Sequence, residues 1–163
     1  MKKIILIGLC ISLLLVVSCK KQPVESYALT EEAKESLSEE EQTFYVEFVK
    51  SCIANIEIMR NRESTYEEGL EALQATYKMV PSDWSWNKID SITDESISFF
   101  LQMMDCYMGS RNYNNYADCK DAVEAIAEKM ASQFVNKEGI REALTLSETR
   151  FKEIYDRGKD LMN

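Results

Sequence analysis

Apolar residues recur at helical spacing along most of the chain. The clearest series is Tyr45, Phe48, Cys52, Ile56 and Met59, at steps of three and four residues. Side chains with this spacing share one face of an α-helix, because the helix completes a turn every 3.6 residues. Similar series cover residues 66–77, 92–108, 119–134 and 140–161. No segment shows the two-residue alternation of a half-buried strand, so the pattern predicts an all-α protein.

Several short sequences predict where the helices begin. In a Ser-x-x-Glu sequence the serine caps the helix and the glutamate returns a hydrogen bond to the cap. Two such sequences overlap at Ser36 and Ser38, a third begins at Ser64, and Thr30 is a further cap candidate. The segment 30–43 is therefore predicted either as an extension of the first strong helix or as a separate short helix.

Other residues predict how the helices are bounded. Pro81 ends the second helix, since proline has no N–H and restricts the residue before it. Thr93 is predicted to cap the third helix, and Gly109 to end it in the left-handed conformation. The last apolar series is predicted to form one unbroken helix over residues 140–161.

Together these elements predict an antiparallel up-down helical bundle of four main helices, with one extra N-terminal helix if residues 30–43 separate. Helices of about 15 to 22 residues are about 23–33 Å long. Their short connections favour antiparallel neighbours, which is the packing of an up-down bundle.

The first nineteen residues have the composition of an export signal. Lys2 and Lys3 precede an apolar run from Ile4 to Val17, and small Ser18 precedes Cys19. This order is typical of a secretory signal peptide, and the run is too short for a stable transmembrane helix. Val-Val-Ser-Cys resembles the lipobox of bacterial lipoproteins. The resemblance implies cleavage before Cys19 and a lipid on its sulfur, which would hold the protein on a membrane.

The resemblance to lipoproteins also predicts on which membrane the protein lies. Lys20 and Lys21 follow Cys19, without the aspartate that retains lipoproteins at the inner membrane of enteric bacteria. It therefore implies an outer-membrane protein whose domain faces the periplasm. The predicted organisation is a cleaved signal peptide (1–18), an acylated tether (19–29) and a single helical domain (30–163).

The chain is acidic. Its formal charge is −9, and loss of Lys2 and Lys3 with the signal peptide makes the mature charge −11. Such a chain is not expected to bind nucleic acid or an anionic membrane surface by charge. The expected partner is another envelope protein. An inhibitor or immunity-type protein for a basic toxin or hydrolase is one alternative, because opposite charges speed capture.

Histidine is absent, which removes the commonest general base and transition-metal ligand. No metal or other cofactor is expected, since Cys52, Cys106 and Cys119 lack the close pair of a zinc site. A disulfide between Cys106 and Cys119 is predicted, because they flank a loop over 109–115 at nearly equal distances. Three alternatives stay open: Cys52 pairs with either of the others, or all three are reduced.

One sequence favours a different class of function. Glu95-Ser96 followed by Phe99 resembles the surroundings of the catalytic acid in some all-α lytic transglycosylases. That family also has a downstream Gly-rich stretch ending near Gly-Leu-Met-Gln, which this chain lacks. A cell-wall hydrolase would need a carboxyl in a dry pocket, and it is the least favoured alternative.

The loop after Pro81 contains Trp84-Ser85-Trp86. Either both tryptophans fold over the end of the bundle, or one is exposed as an anchor for a partner, since Trp is enriched in interface hot spots. Asp83 and Lys88 would supply a polar rim. The leading hypothesis is a small lipid-anchored envelope protein with a helical interaction or structural domain.

Overall fold

The computed structural model describes residue 24 and residues 26–107 and 116–162. The predicted signal peptide, Cys19, the loop 109–115 and the helix end at Gly109 lie outside the described residues. Within them the fold is all-α, as predicted. The only β-type pairing there is an isolated antiparallel bridge between Leu29 and Phe134.

Seven helices make up this part of the chain, five of them with 12 or more residues. They pack compactly as a helical bundle, and the up-down order of its main helices stays a prediction. No helix among these residues is both long enough and apolar enough to cross a membrane. The helices are α1 (Glu31–Ser36), α2 (Glu39–Arg60), α3 (Tyr66–Tyr77), α4 (Ile92–Tyr107), α5 (Tyr116–Ala131), α6 (Lys137–Leu144) and α7 (Glu148–Met162).

The segment before α2 forms a separate short helix. Thr30 caps α1 by accepting a hydrogen bond from the Ala33 N–H. Ser38 and Glu41 then form a reciprocal capping box that begins α2. This resolves the alternative over residues 30–43, because Leu37 between the two helices has an extended backbone.

Two predicted caps are wrong by one or two residues. Helix α3 begins with a box formed by Thr65 and Glu68, one residue later than the box predicted at Ser64. Helix α4 is capped by Ser91, whose Oγ accepts from the Asp94 N–H at 3.1 Å. Thr93 lies inside the first turn of α4, and its buried hydroxyl has no hydrogen-bond partner among the described residues.

The predicted helix over 140–161 is two helices. It breaks between Leu144 and Glu148, where Thr145 has an extended backbone and Ser147 accepts a hydrogen bond from the Arg150 N–H. The guanidinium of Arg60 crosses from α2 and donates to the carbonyls of Ala143 and Thr145 at 2.9 and 2.6 Å. These bonds satisfy the carbonyls that the end of α6 leaves open.

Helix α2 lies at the centre of the core and packs against α3, α4 and α6. The side chains of Tyr45 and Phe48 are fully buried. The Phe48 ring meets Phe100 of α4 edge-on at 5.5 Å, and Tyr45 stacks on Phe134 at 5.7 Å. Phe134 lies beyond the end of α5, so the predicted fourth stripe is buried although its last residue is not helical.

Candidate functional site

The connection between α3 and α4 carries the tryptophan pair. Helix α3 ends at Tyr77, and the N–H groups of Met79 and Val80 donate to carbonyls one turn earlier. After Pro81 the backbone N–H of Trp84 donates a hydrogen bond to the Pro81 carbonyl at 3.1 Å, which closes a turn. Backbone bonds therefore fix the path of the connection and the positions of its aromatic side chains.

The two tryptophans differ in exposure. Trp84 is half-buried and packs against the core, whereas Trp86 is 52 % exposed. Their ring centroids are 5.0 Å apart, with an interplanar angle of 71°. The structure therefore places one tryptophan under the other, with the outer ring facing solvent. This is the exposure expected for one anchor residue, and it does not fit both rings folding over the bundle.

A hollow of about 430 Å³ lies beside the pair. Six of its eight lining residues are apolar or aromatic. This volume is within the usual range for small-ligand pockets, about 300–1,000 Å³. The lining residues are Tyr77, Lys78, Val80, Pro81, Ser82, Trp84, Trp86 and Leu101.

Of the eight lining residues, the sequence predicts Trp84 and Trp86 as site residues and misses the other six, among them Tyr77 and Lys78. The apolar spacing predicts a buried Tyr77 on α3, but Tyr77 is 52 % exposed because the helix ends there. Lys78 follows it and lines the hollow. The predicted rim residues Asp83 and Lys88 are exposed, as expected for a rim, but neither lines the hollow.

The charges near the hollow are unusual for this molecule. Six of the lysines in the described residues form ion pairs with carboxylates at short distance. Lys78 and Lys88 have no carboxylate within 4 Å among those residues. Trp84 Nε1 is buried and has no acceptor in the part of the chain that the structure describes. The hollow is thus lined by one ammonium group, that of Lys78, which has no carboxylate partner among the described residues.

Two other concave sites offer less. A hollow of about 320 Å³ is lined by Arg60, Arg62 and Arg150, but these guanidiniums already bind protein groups. Arg150 donates to the Met59 carbonyl at 2.5 Å, and Arg62 to Glu153 at 2.9 Å. The crevice between α3 and α7 holds only about 40 Å³, space for one or two waters. The hollow beside the tryptophans is therefore the best candidate site.

The carboxyl predicted for a hydrolase is not in a dry pocket. Glu95 pairs with Lys129 at 2.6 Å, and its side chain is 37 % exposed. No aspartate or glutamate among the described residues is buried. Glu95 therefore lacks the dry pocket that a glycosidase acid requires.

The cysteines and acids of the described residues form no cluster of three that could hold a metal ion. Cys52 is a free, buried thiol, and burial raises the pKa of this thiol far above its usual value. The two alternatives in which Cys52 pairs with another cysteine therefore do not occur. Cys119 is fully buried, but the side chain of Cys106 lies outside the described residues. The Cys106–Cys119 disulfide stays a prediction.

Comparison of the chain with protein-family models, with curated proteins and with solved structures gives no match.

Proposed function

We propose that the protein is a lipid-anchored envelope protein whose helical domain binds another macromolecule through the aromatic face formed by Tyr77, Trp84 and Trp86. The observation that supports this most directly is the exposure of Trp86 at the mouth of a preformed hollow. An exposed tryptophan supported by a second, half-buried one is a rigid anchor, and such residues dominate binding energy at interfaces.

The distribution of exposed apolar residues supports the same face. Four large hydrophobic side chains are exposed among the described residues: Tyr77, Trp86, Ile89 and Val135. Three of the four lie within thirteen consecutive residues of the α3–α4 connection. Scattered exposed hydrophobics need no explanation, whereas a concentration of them beside a cavity is typical of an interaction site.

The anchor is proposed from the lipobox resemblance at Cys19. If the chain is cut there, four residues separate Cys19 from Val24, which packs against the core. Fully extended, the five steps from Cys19 to Val24 span about 17 Å. This short tether would hold the domain close to the outer membrane, where it can meet partners in the periplasm.

A second candidate is an inhibitor or immunity-type protein with a basic target. Its support is the mature charge of −11, together with the fact that every acid of the described residues is at least partly exposed. Under this proposal association with the target slows steeply as salt is added, whereas the dissociation rate changes little.

Photo-cross-linking in intact cells tests the proposal. A benzophenone amino acid replaces Trp86 in one strain and Val135 in another, because Val135 is 70 % exposed and remote in sequence. The expected result is a discrete cross-linked protein from position 86 and none from position 135. Equal products from both positions, or none from position 86, would contradict the proposed face.

A further inference from the structure

The hollow beside the tryptophans combines apolar and aromatic surface with one charged group, that of Lys78, and both are features of ligand sites. Val80, Pro81 and Leu101 supply aliphatic surface, and the rings of Trp84 and Trp86 supply aromatic surface. An apolar group that enters is removed from water on several sides, which stabilises binding in proportion to the area covered. The walls therefore favour an aliphatic or aromatic side chain.

The charge of the residues that line the hollow determines which charged group the bound side chain must be joined to. Lys78 is the only charged residue of the lining, and no carboxylate of the described residues lies within 4 Å of its ammonium group. A cationic ligand would be attracted by the rings but repelled by Lys78. A single ammonium group suits a carboxylate better than a phosphate, for which arginine forks are the stronger partners.

Trp84 contributes ring surface to the hollow. Its Nε1–H is buried and has no acceptor in the described part of the chain, so a ligand in the hollow contacts the Trp84 ring and not this donor. The charged partner that the lining offers to a ligand is therefore Lys78.

We infer that the hollow binds an apolar side chain joined to a carboxylate, presented by the protein partner, with Lys78 pairing with the carboxylate. The inference rests on the proposed function and states the chemistry of the partner at this face. A partner segment that ends in an apolar residue, or that places an acid beside one, has this chemistry. The partner as a whole can still be basic, because only the group at the hollow is specified.

The chain provides its own reporter for a direct test. It contains two tryptophans, both in the lining, so an ¹⁵N spectrum of the soluble domain contains two indole N–H signals. The probes are phenylacetate and its neutral amide, phenylacetamide, which have the same ring and nearly the same shape. We expect phenylacetate to shift the Trp84 indole signal at millimolar concentration, and phenylacetamide to bind more weakly.

Two matched variants test which lysine pairs with the carboxylate of the ligand. Lys78→Gln removes the ammonium group in the lining, and Lys88→Gln removes an exposed one from the same connection. Lys78→Gln is expected to weaken phenylacetate binding about two- to fivefold, the range for one exposed ion pair, and Lys88→Gln to change it little. Circular dichroism checks that both variants fold.

Three results would overturn the inference: no shift of either indole signal, equal binding of acid and amide, or equal effects of the two lysine variants. Cross-linking from position 86 shows whether only the inferred ligand chemistry is wrong or whether the proposed function is wrong as well. If Lys78→Gln leaves the cross-linked product unchanged, the partner does not use the ammonium group, although the aromatic face still binds it. If position 86 gives no product in either background, the proposed function itself is wrong.

Discussion

Replacing Thr76 with valine should destabilise the protein, because Thr76 is the centre of a polar network between α2 and α3. Its side chain is fully buried, and its Oγ1 accepts a hydrogen bond from Asn55 Nδ2 at 2.6 Å. Ser51 Oγ lies at 2.6 Å from the same atom. Valine has nearly the same shape, so the substitution removes the hydrogen bonds and leaves the packing volume almost unchanged.

Most of the expected loss of stability comes from Asn55, whose amide loses its hydrogen-bond partner. This residue is 2 % exposed, so its amide has no access to water once the hydroxyl is gone. A buried polar group without a partner costs about 1–3 kcal/mol. Ser51 is half-buried and can turn to solvent, so it adds little. The free energy of unfolding should fall by about 1–3 kcal/mol, which lowers Tm by roughly 3–10 °C in a domain of this size.

Urea denaturation followed by circular dichroism measures the change. Thr43→Val is the matched control, because Thr43 is an exposed threonine on α2 whose hydroxyl bonds only within its own helix. It should change stability by less than about 0.5 kcal/mol. Adding Asn55→Leu to Thr76→Val should recover part of the loss, since both partners are then apolar. A Thr76→Val variant as stable as Thr43→Val would refute the reasoning.

Three further predictions concern the anchor, the cysteines and the glycines. Cys19→Ala should abolish fatty-acid labelling and leave uncut precursor, and persistent labelling would exclude the lipobox. Non-reducing peptide mapping should find Cys106 joined to Cys119, which would stabilise the fold by about 3 kcal/mol through loop closure; three freely alkylated thiols in periplasmic protein would disprove it. Gly69→Ala should stabilise α3 by about 0.5–1 kcal/mol, because a Cβ there meets nothing within 4 Å. Gly139→Ala should bring no such gain, since its Cβ would lie 2.5 Å from the asparagine that caps α6, and equal gains at both sites in thermal melts would contradict this.

The helical class could be predicted because it depends on local spacing. The capping box at Ser38 was also predictable, since all its atoms lie within four residues. The break between α6 and α7 was not. Ile140, Leu144, Phe151 and Tyr155 keep helical spacing across it, and neither proline nor glycine marks it. The groups that stabilise the break come from Arg60, more than eighty residues away.

The candidate site was predictable only in part, for a similar reason. Trp84-Ser85-Trp86 is conspicuous in the sequence, and the exposure of one tryptophan is one of the two alternatives that the sequence leaves open. The role of Lys78 depends on which carboxylates lie near it, and that depends on the packing of α3 against its neighbours. Tyr77 follows the apolar spacing of α3, but spacing alone does not say that the helix ends there and leaves the ring exposed.

The most direct test of the aromatic face is the affinity of the cross-linked partner, once purified, for two alanine variants. Trp86→Ala should weaken binding by about thirtyfold or more, which corresponds to the loss of a hot spot of about 2 kcal/mol. Val135→Ala removes a side chain that is even more exposed, and its dissociation constant should stay within about twofold of the wild-type value. Equal dissociation constants for the two variants would contradict binding through this face.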